Sequence, residues 1–66
     1  MYSGIEFRTA RQAIQHAAAN SGKAIRLEGS TLVVSQEDAA RLEAAGVKFH
    51  YLSAHKGRIV YIPVND

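Results

Sequence analysis

The residues best suited to chemistry are basic side chains concentrated in the last third of the chain. Residues 46–64 contain Lys48, Lys56 and Arg58 and no Asp or Glu, a local charge of +3, whereas all other residues together sum to −1. Cations hold phosphate groups, and aromatic rings placed among them can stack on unpaired bases. The pattern indicates a contact with a negatively charged partner, and single-stranded nucleic acid is the leading hypothesis.

Side chains alternate between the two faces of a strand, and this alternation predicts that basic and aromatic residues lie together on the outer face of the sheet. Residues on one strand face recur at every second position, so Arg26 joins this face if both predicted hairpins belong to one sheet. The alternative is that cations on an exposed edge strand only prevent aggregation. The predicted nucleic-acid-binding residues are Arg26, Lys48, His50, Lys56, Arg58 and Tyr61.

The same outer face is more apolar than a face exposed to water should be. Apolar patches in contact with water commonly mark protein interfaces, and a domain of 66 residues has much to gain from a second copy. We therefore expect a homodimer, and the alternative function is that of a protein-interaction or accessory module. In a third interpretation, residues 2–7 fold over this face. The predicted interface residues are Val33, Leu52, Ile59 and Tyr61.

Other chemistry has little support in the sequence. Without Cys, disulfides and thiolate metal sites are excluded, and His16, His50 and His55 are not spaced as ligands on one helical face. The glycines occur singly, which excludes a Gly-rich phosphate loop. Because so short a chain seldom encloses a dry pocket, we expect a non-enzymatic protein with no cofactor and no metal site.

Two helices are predicted to support this face. Thr9 and Gln12 have the spacing of a capping box, so the first helix should begin at Ala10 and end near residues 20–22. Ser35 is a candidate N-cap for a second helix, which should end at Gly46.

Period-two alternation predicts a hairpin after each helix. In the first, Gly29-Ser30 should form the turn, so that Leu27 pairs with Leu32. In the second, residues 54–57 should form a four-residue loop.

With that loop, Tyr51 pairs with Val60 in the second hairpin. Pro63 lies near the end of the last strand, where a missing N–H matters least, which indicates an edge strand.

Together these elements predict one α+β domain over residues 1–66, with two helices packed on one face of an antiparallel sheet in the order α-β-β-α-β-β. Residues 1–7 are expected to be disordered or to form a short edge strand through Ile5 and Phe7. The strand would give a ferredoxin-like order, β-α-β-β-α-β-β. The sequence has no apolar run long enough for a membrane helix and no signal peptide. We therefore expect a cytoplasmic protein that does not bind membranes, and its size and composition suggest a bacterial source.

Overall fold

Two α-helices and five β-strands make up residues 4–66, the part of the chain described by the computed structural model. The α+β class and the predicted order of elements are confirmed, and the N-terminal strand is present. The prediction for residues 1–3 lies outside the described residues. The elements are β1 (Gly4–Phe7), α1 (Ala10–Asn20), β2 (Lys23–Leu27), β3 (Ser30–Val34), α2 (Gln36–Ala44), β4 (Phe49–His55) and β5 (Arg58–Val64).

Both helices begin at the predicted capping residues. The backbone N–H of Gln12 donates to Thr9 Oγ1 at 3.2 Å, and that of Asp38 donates to Ser35 Oγ at 3.0 Å. Each cap satisfies a backbone donor that the first helical turn leaves without a partner. The caps therefore fix where each helix leaves the sheet.

The end of α1 depends on two neighbouring residues with different tasks. Ser21, rather than the glycine after it, adopts the left-handed conformation that closes the helix, with φ 56°. Gly22 lies so close to β3 that an added Cβ would be 3.0 Å from the Val34 carbonyl oxygen. The glycine therefore permits a close approach between α1 and the sheet.

The sheet has the strand order β1-β3-β2-β4-β5, and all neighbouring strands are antiparallel. Helix α1 connects β1 to β2 across β3, and α2 connects β3 to β4 across β2. Both crossovers step in the same direction across the sheet. However, β1 and β2, which α1 connects, run opposite to β3 and β4, which α2 connects. Two crossovers of the same hand must then lie on opposite faces.

The core confirms that the helices cover opposite faces, which corrects the predicted packing of both helices on one face. Consecutive apolar residues, as at positions 24–25 and 33–34, give each central strand two buried faces. We call the two faces the α1 side and the α2 side. On the α1 side Ala13 and Ala17 pack with Ala24, Val33 and Leu52. On the α2 side Ala39 and Leu42 pack with Ile25, Leu27, Val34 and Phe49.

Both hairpins have a pairing register that differs by two residues from the predicted one. Their turns are the two-residue segments 28–29 and 56–57, and all four residues have positive φ, as a type I′ turn requires. Leu27 therefore pairs with Ser30, and Tyr51 pairs with Ile62. A shift of two residues keeps every side chain on its predicted face.

Candidate nucleic-acid interface

The centre of the candidate interface is a cross-strand pair on the α1 side. Arg26 of β2 lies directly opposite His50 of β4. The Arg26 side chain is exposed, and its Nη1 donates to Thr31 Oγ1 at 3.4 Å. A guanidinium has five N–H donors, so this hydrogen bond leaves others available to a ligand.

An aromatic side chain extends this pair toward the sheet edge. The rings of His50 and Tyr61 lie 6.3 Å apart between centroids in an edge-to-face arrangement. Tyr61 pairs with Leu52, a buried residue beneath α1, so the Tyr61 ring lies on the α1 side. It remains 47% exposed. We call Arg26, His50 and Tyr61 the α1-side patch.

Two of the other predicted binding residues, Lys56 and Arg58, lie away from this patch. Lys56 occupies the β4–β5 turn, six residues and about 20 Å along the chain from His50. Arg58 begins β5 on the opposite, α2 side, as its pairing with His55 and the alternation of side chains require. Lys48 is exposed in the segment before β4. The structure thus groups Arg26, His50 and Tyr61 and separates Lys56 and Arg58 from them.

The predicted interface residues also divide into two groups. Val33 and Leu52 are each only 7% exposed because they pack beneath α1, so they are not accessible to a partner. This corrects their assignment to an uncovered outer face. Ile59 is half-buried and Tyr61 is exposed, and both belong to the edge strand β5.

A second arginine, which the sequence pattern does not single out, lies near the patch. Arg8 and Arg26 both line an open cleft of about 450 Å³, together with Ser30 and Thr31. Arg8 follows β1, and only the pairing of β1 with β3 brings it to this end of the sheet. The remaining lining residues are Glu6, Phe7 and Gly29.

The sheet separates the charges of the protein. Among the helix and strand residues of the described chain, no Asp or Glu lies on α1 or on the α1 side of a strand, whereas α2 contains Glu37, Asp38 and Glu43. The strand carboxylate Glu6 pairs with Leu32 and therefore belongs to the α2 side. An anion that approaches the α1-side patch therefore meets no carboxylate from α1 or from the α1 side of a strand, and the carboxylate that lines the neighbouring cleft is Glu6.

The three histidines lie apart from one another. His16 of α1 contacts the Phe7 ring, with 5.1 Å between ring centroids. His50 and His55 are five residues apart on β4 and therefore face opposite sides of the sheet. In residues 4–66 no three His, Asp or Glu side chains are grouped as a metal ion would require.

Comparisons with protein-family models, curated proteins and solved structures found no match for this chain. Neither of the helices described between residues 4 and 66 is long and apolar enough to cross a membrane.

Proposed function

We propose that this protein is a non-catalytic binding module that holds single-stranded nucleic acid on the α1 side of its sheet. The observation that carries the proposal is the contiguity of Arg26, His50 and Tyr61 on a side without strand or helix carboxylates. A positive surface attracts the phosphate backbone through counterion release. The separation of charges favours binding on this side, even though the net charge is only +2.

The aromatic part of the patch favours unpaired bases over a duplex. The Tyr61 ring is exposed, and it meets the neighbouring His50 ring in an edge-to-face arrangement. Bases within a duplex already stack on one another, whereas bases of a single strand are free to stack on a protein ring. Tyr61 therefore offers a stacking surface beside the cation Arg26.

The cleft that Arg8 and Arg26 line suits the phosphate that follows such a base. Arginine binds phosphate through several parallel N–H donors, and the hydroxyls of Ser30 and Thr31 also line the cleft. Thr31 Oγ1 accepts a hydrogen bond from Arg26, which orients the guanidinium before a ligand arrives. A base on Tyr61 and a phosphate in the cleft would then use adjacent parts of one surface.

The proposal is tested by fluorescence anisotropy with a labelled single-stranded oligonucleotide of about ten nucleotides. Tyr61→Ala should weaken binding about fivefold or more, because stacking contributes roughly 1–3 kcal/mol per base. Arg26→Gln should weaken binding and reduce the slope of log K against log salt by about 0.7 for each phosphate that the variant no longer neutralises. The measurement compares Kd from about 50 to about 200 mM salt.

Arg58→Gln is the matched control, since it removes the same charge from the other side of the sheet. It should change affinity much less than Arg26→Gln. Equal effects of the two variants would show that only net charge matters and would contradict a site on the α1 side. Urea unfolding of each variant separates a defect in binding from a defect in folding.

A further inference from the structure

The edge strand β5 exposes apolar side chains on both faces of the sheet. Val60 and Ile62 on the α2 side are 41% and 47% exposed, and Tyr61 on the α1 side is 47% exposed. They account for three of the four exposed large hydrophobic residues of the described chain, and the fourth is Ile5. Val64 packs against the core on the α2 side, but Val60, Tyr61 and Ile62 belong to neither core cluster, so their apolar surface remains in contact with water.

The backbone of β5 also has donors and acceptors without partners. A type I′ turn closes on a hydrogen-bonded pair, here His55 with Arg58, and hydrogen-bonded and non-hydrogen-bonded pairs then alternate. The N–H and C=O groups of Ile59 and Tyr61 consequently point away from β4. Pro63 falls at a position of the same kind, where the absence of an N–H removes no bond to β4.

We propose that β5 pairs with β5 of a second copy in an antiparallel, two-fold symmetric dimer centred on Val60. In this register Ile59 of one copy pairs with Tyr61 of the other, and every free N–H of those residues meets a free C=O. A dimer centred on Tyr61 would instead place Pro63 opposite Ile59 and leave each Ile59 carbonyl without a donor. The register centred on Val60 therefore keeps Pro63 out of the hydrogen-bonded pairs between the two copies.

The side chains are complementary in the same register. Val60 meets Val60 of the second copy, and Arg58 lies beside Ile62, so its aliphatic stem covers an apolar residue and no like charges face each other. A dimer centred on Arg58 would oppose two cations. Because this surface is self-complementary under a two-fold axis, a second copy fits it better than an unrelated strand.

The area of the contact indicates a weak dimer. A strand of seven residues is about 23 Å long. With side chains on both faces, its edge offers on the order of 400 Å² per copy, about half of a standard interface. We therefore expect a reversible dimer that forms at high protein concentration. The pairing keeps the α1 sides on the same face, so the two α1-side patches become neighbours across the two-fold axis.

Because the chain has no Cys, single cysteine variants provide a direct test. Val60→Cys should form a disulfide-linked dimer under mild oxidation, since paired Cβ atoms at such a position are about 4.5–5.5 Å apart. Ile62→Cys is the matched control, with similar exposure on the same face. In the proposed register the two cysteines of Ile62→Cys are four residues apart along the paired strands. This variant should therefore cross-link at least tenfold more slowly than Val60→Cys.

Sedimentation of the unmodified protein over a concentration series provides the second measurement. A rise in mass toward that of a dimer, abolished by Val60→Lys, supports the proposal, because two lysines would face each other at the centre. A monomer at every concentration, or equal cross-linking of Val60→Cys and Ile62→Cys, would overturn it. Val60 lies outside the α1-side patch, so oligonucleotide binding by Val60→Lys shows whether the proposed function holds independently of the dimer.

Discussion

Arg26 makes a hydrogen bond within the protein and remains exposed to a ligand. Its Nη1 donates to Thr31 Oγ1, while the side chain as a whole stays exposed opposite His50. Holding a guanidinium in place before binding reduces the side-chain entropy that is given up when a phosphate arrives. At the level of single residues, the α1-side patch is therefore pre-organised by its own strand neighbours.

On the α2 side, Tyr51 forms a hydrogen bond with a carboxylate. Its hydroxyl donates to Glu43 Oε2 at 3.1 Å. Burial, together with the hydrogen bond and charge of Glu43, raises the pKa of Tyr51 above its ordinary value of 10.0. The folded state therefore holds the phenolic proton more tightly than the unfolded chain does.

We predict that Tyr51→Phe reduces the loss of stability at alkaline pH. The stabilisation linked to the raised pKa is fully present below pH 10 and is lost as the pH rises through the folded-state pKa of Tyr51. The difference in unfolding free energy between the natural protein and Tyr51→Phe should therefore shrink above pH 10. Urea titrations at neutral and alkaline pH measure this difference.

Glu43→Gln is the control for this prediction, because it keeps a side chain that can accept the hydrogen bond but removes the charge. The alkaline loss of stability should then be smaller and should end at a lower pH than in the natural protein. An identical pH dependence in Tyr51→Phe, Glu43→Gln and the natural protein would contradict the assigned role of Tyr51.

At the level of elements, the two hairpins show how much the sequence determines. Alternation predicts the face of each strand residue correctly, because the period of two is set by the backbone itself. Alternation does not fix the pairing register of a hairpin. Gly29 is compatible with the first position of a type II′ turn and also with the second position of a type I′ turn. The structure places Glu28 before Gly29 and Lys56 before Gly57, so both turns carry a non-glycine residue at positive φ.

This turn geometry predicts a stabilising substitution. Glu28 has φ 50°, a conformation that Asn adopts more readily than Glu. Glu28→Asn should raise the free energy of unfolding by about 0.5–1 kcal/mol, whereas Glu28→Val should lower it because β-branched residues are strained at positive φ. Urea unfolding of both variants checks the prediction. A loss of stability in Glu28→Asn would argue against the type I′ turn at this position.

The placement of the helices could not be predicted from local patterns. Consecutive apolar residues such as Val33 and Val34 leave open whether the second face meets a helix, another copy or water. The strand order decides this, because it sets the direction in which each crossover steps. For the same reason Arg8 escapes sequence analysis, while the cross-strand neighbours Arg26 and His50 follow from alternation once the hairpins share a sheet.

At the level of the whole molecule, the sheet divides the protein into two surfaces of different charge. The carboxylates of α2 lie on one side, and Arg26, His50 and the carboxylate-free helix α1 lie on the other. This division arises because α1 and α2 pack on opposite faces of the sheet, so the charges of each helix lie on one face only. A dimer through β5 would preserve it and double the basic surface.

The most direct test of the proposed binding site is an amide-resolved NMR titration with a single-stranded oligonucleotide, recorded at low and moderate salt. We predict chemical-shift changes at Arg26, His50 and Tyr61 that decrease as salt increases, with the amides of α2 largely unaffected. Changes centred on α2, or no changes on the α1 side at low salt, would contradict this prediction.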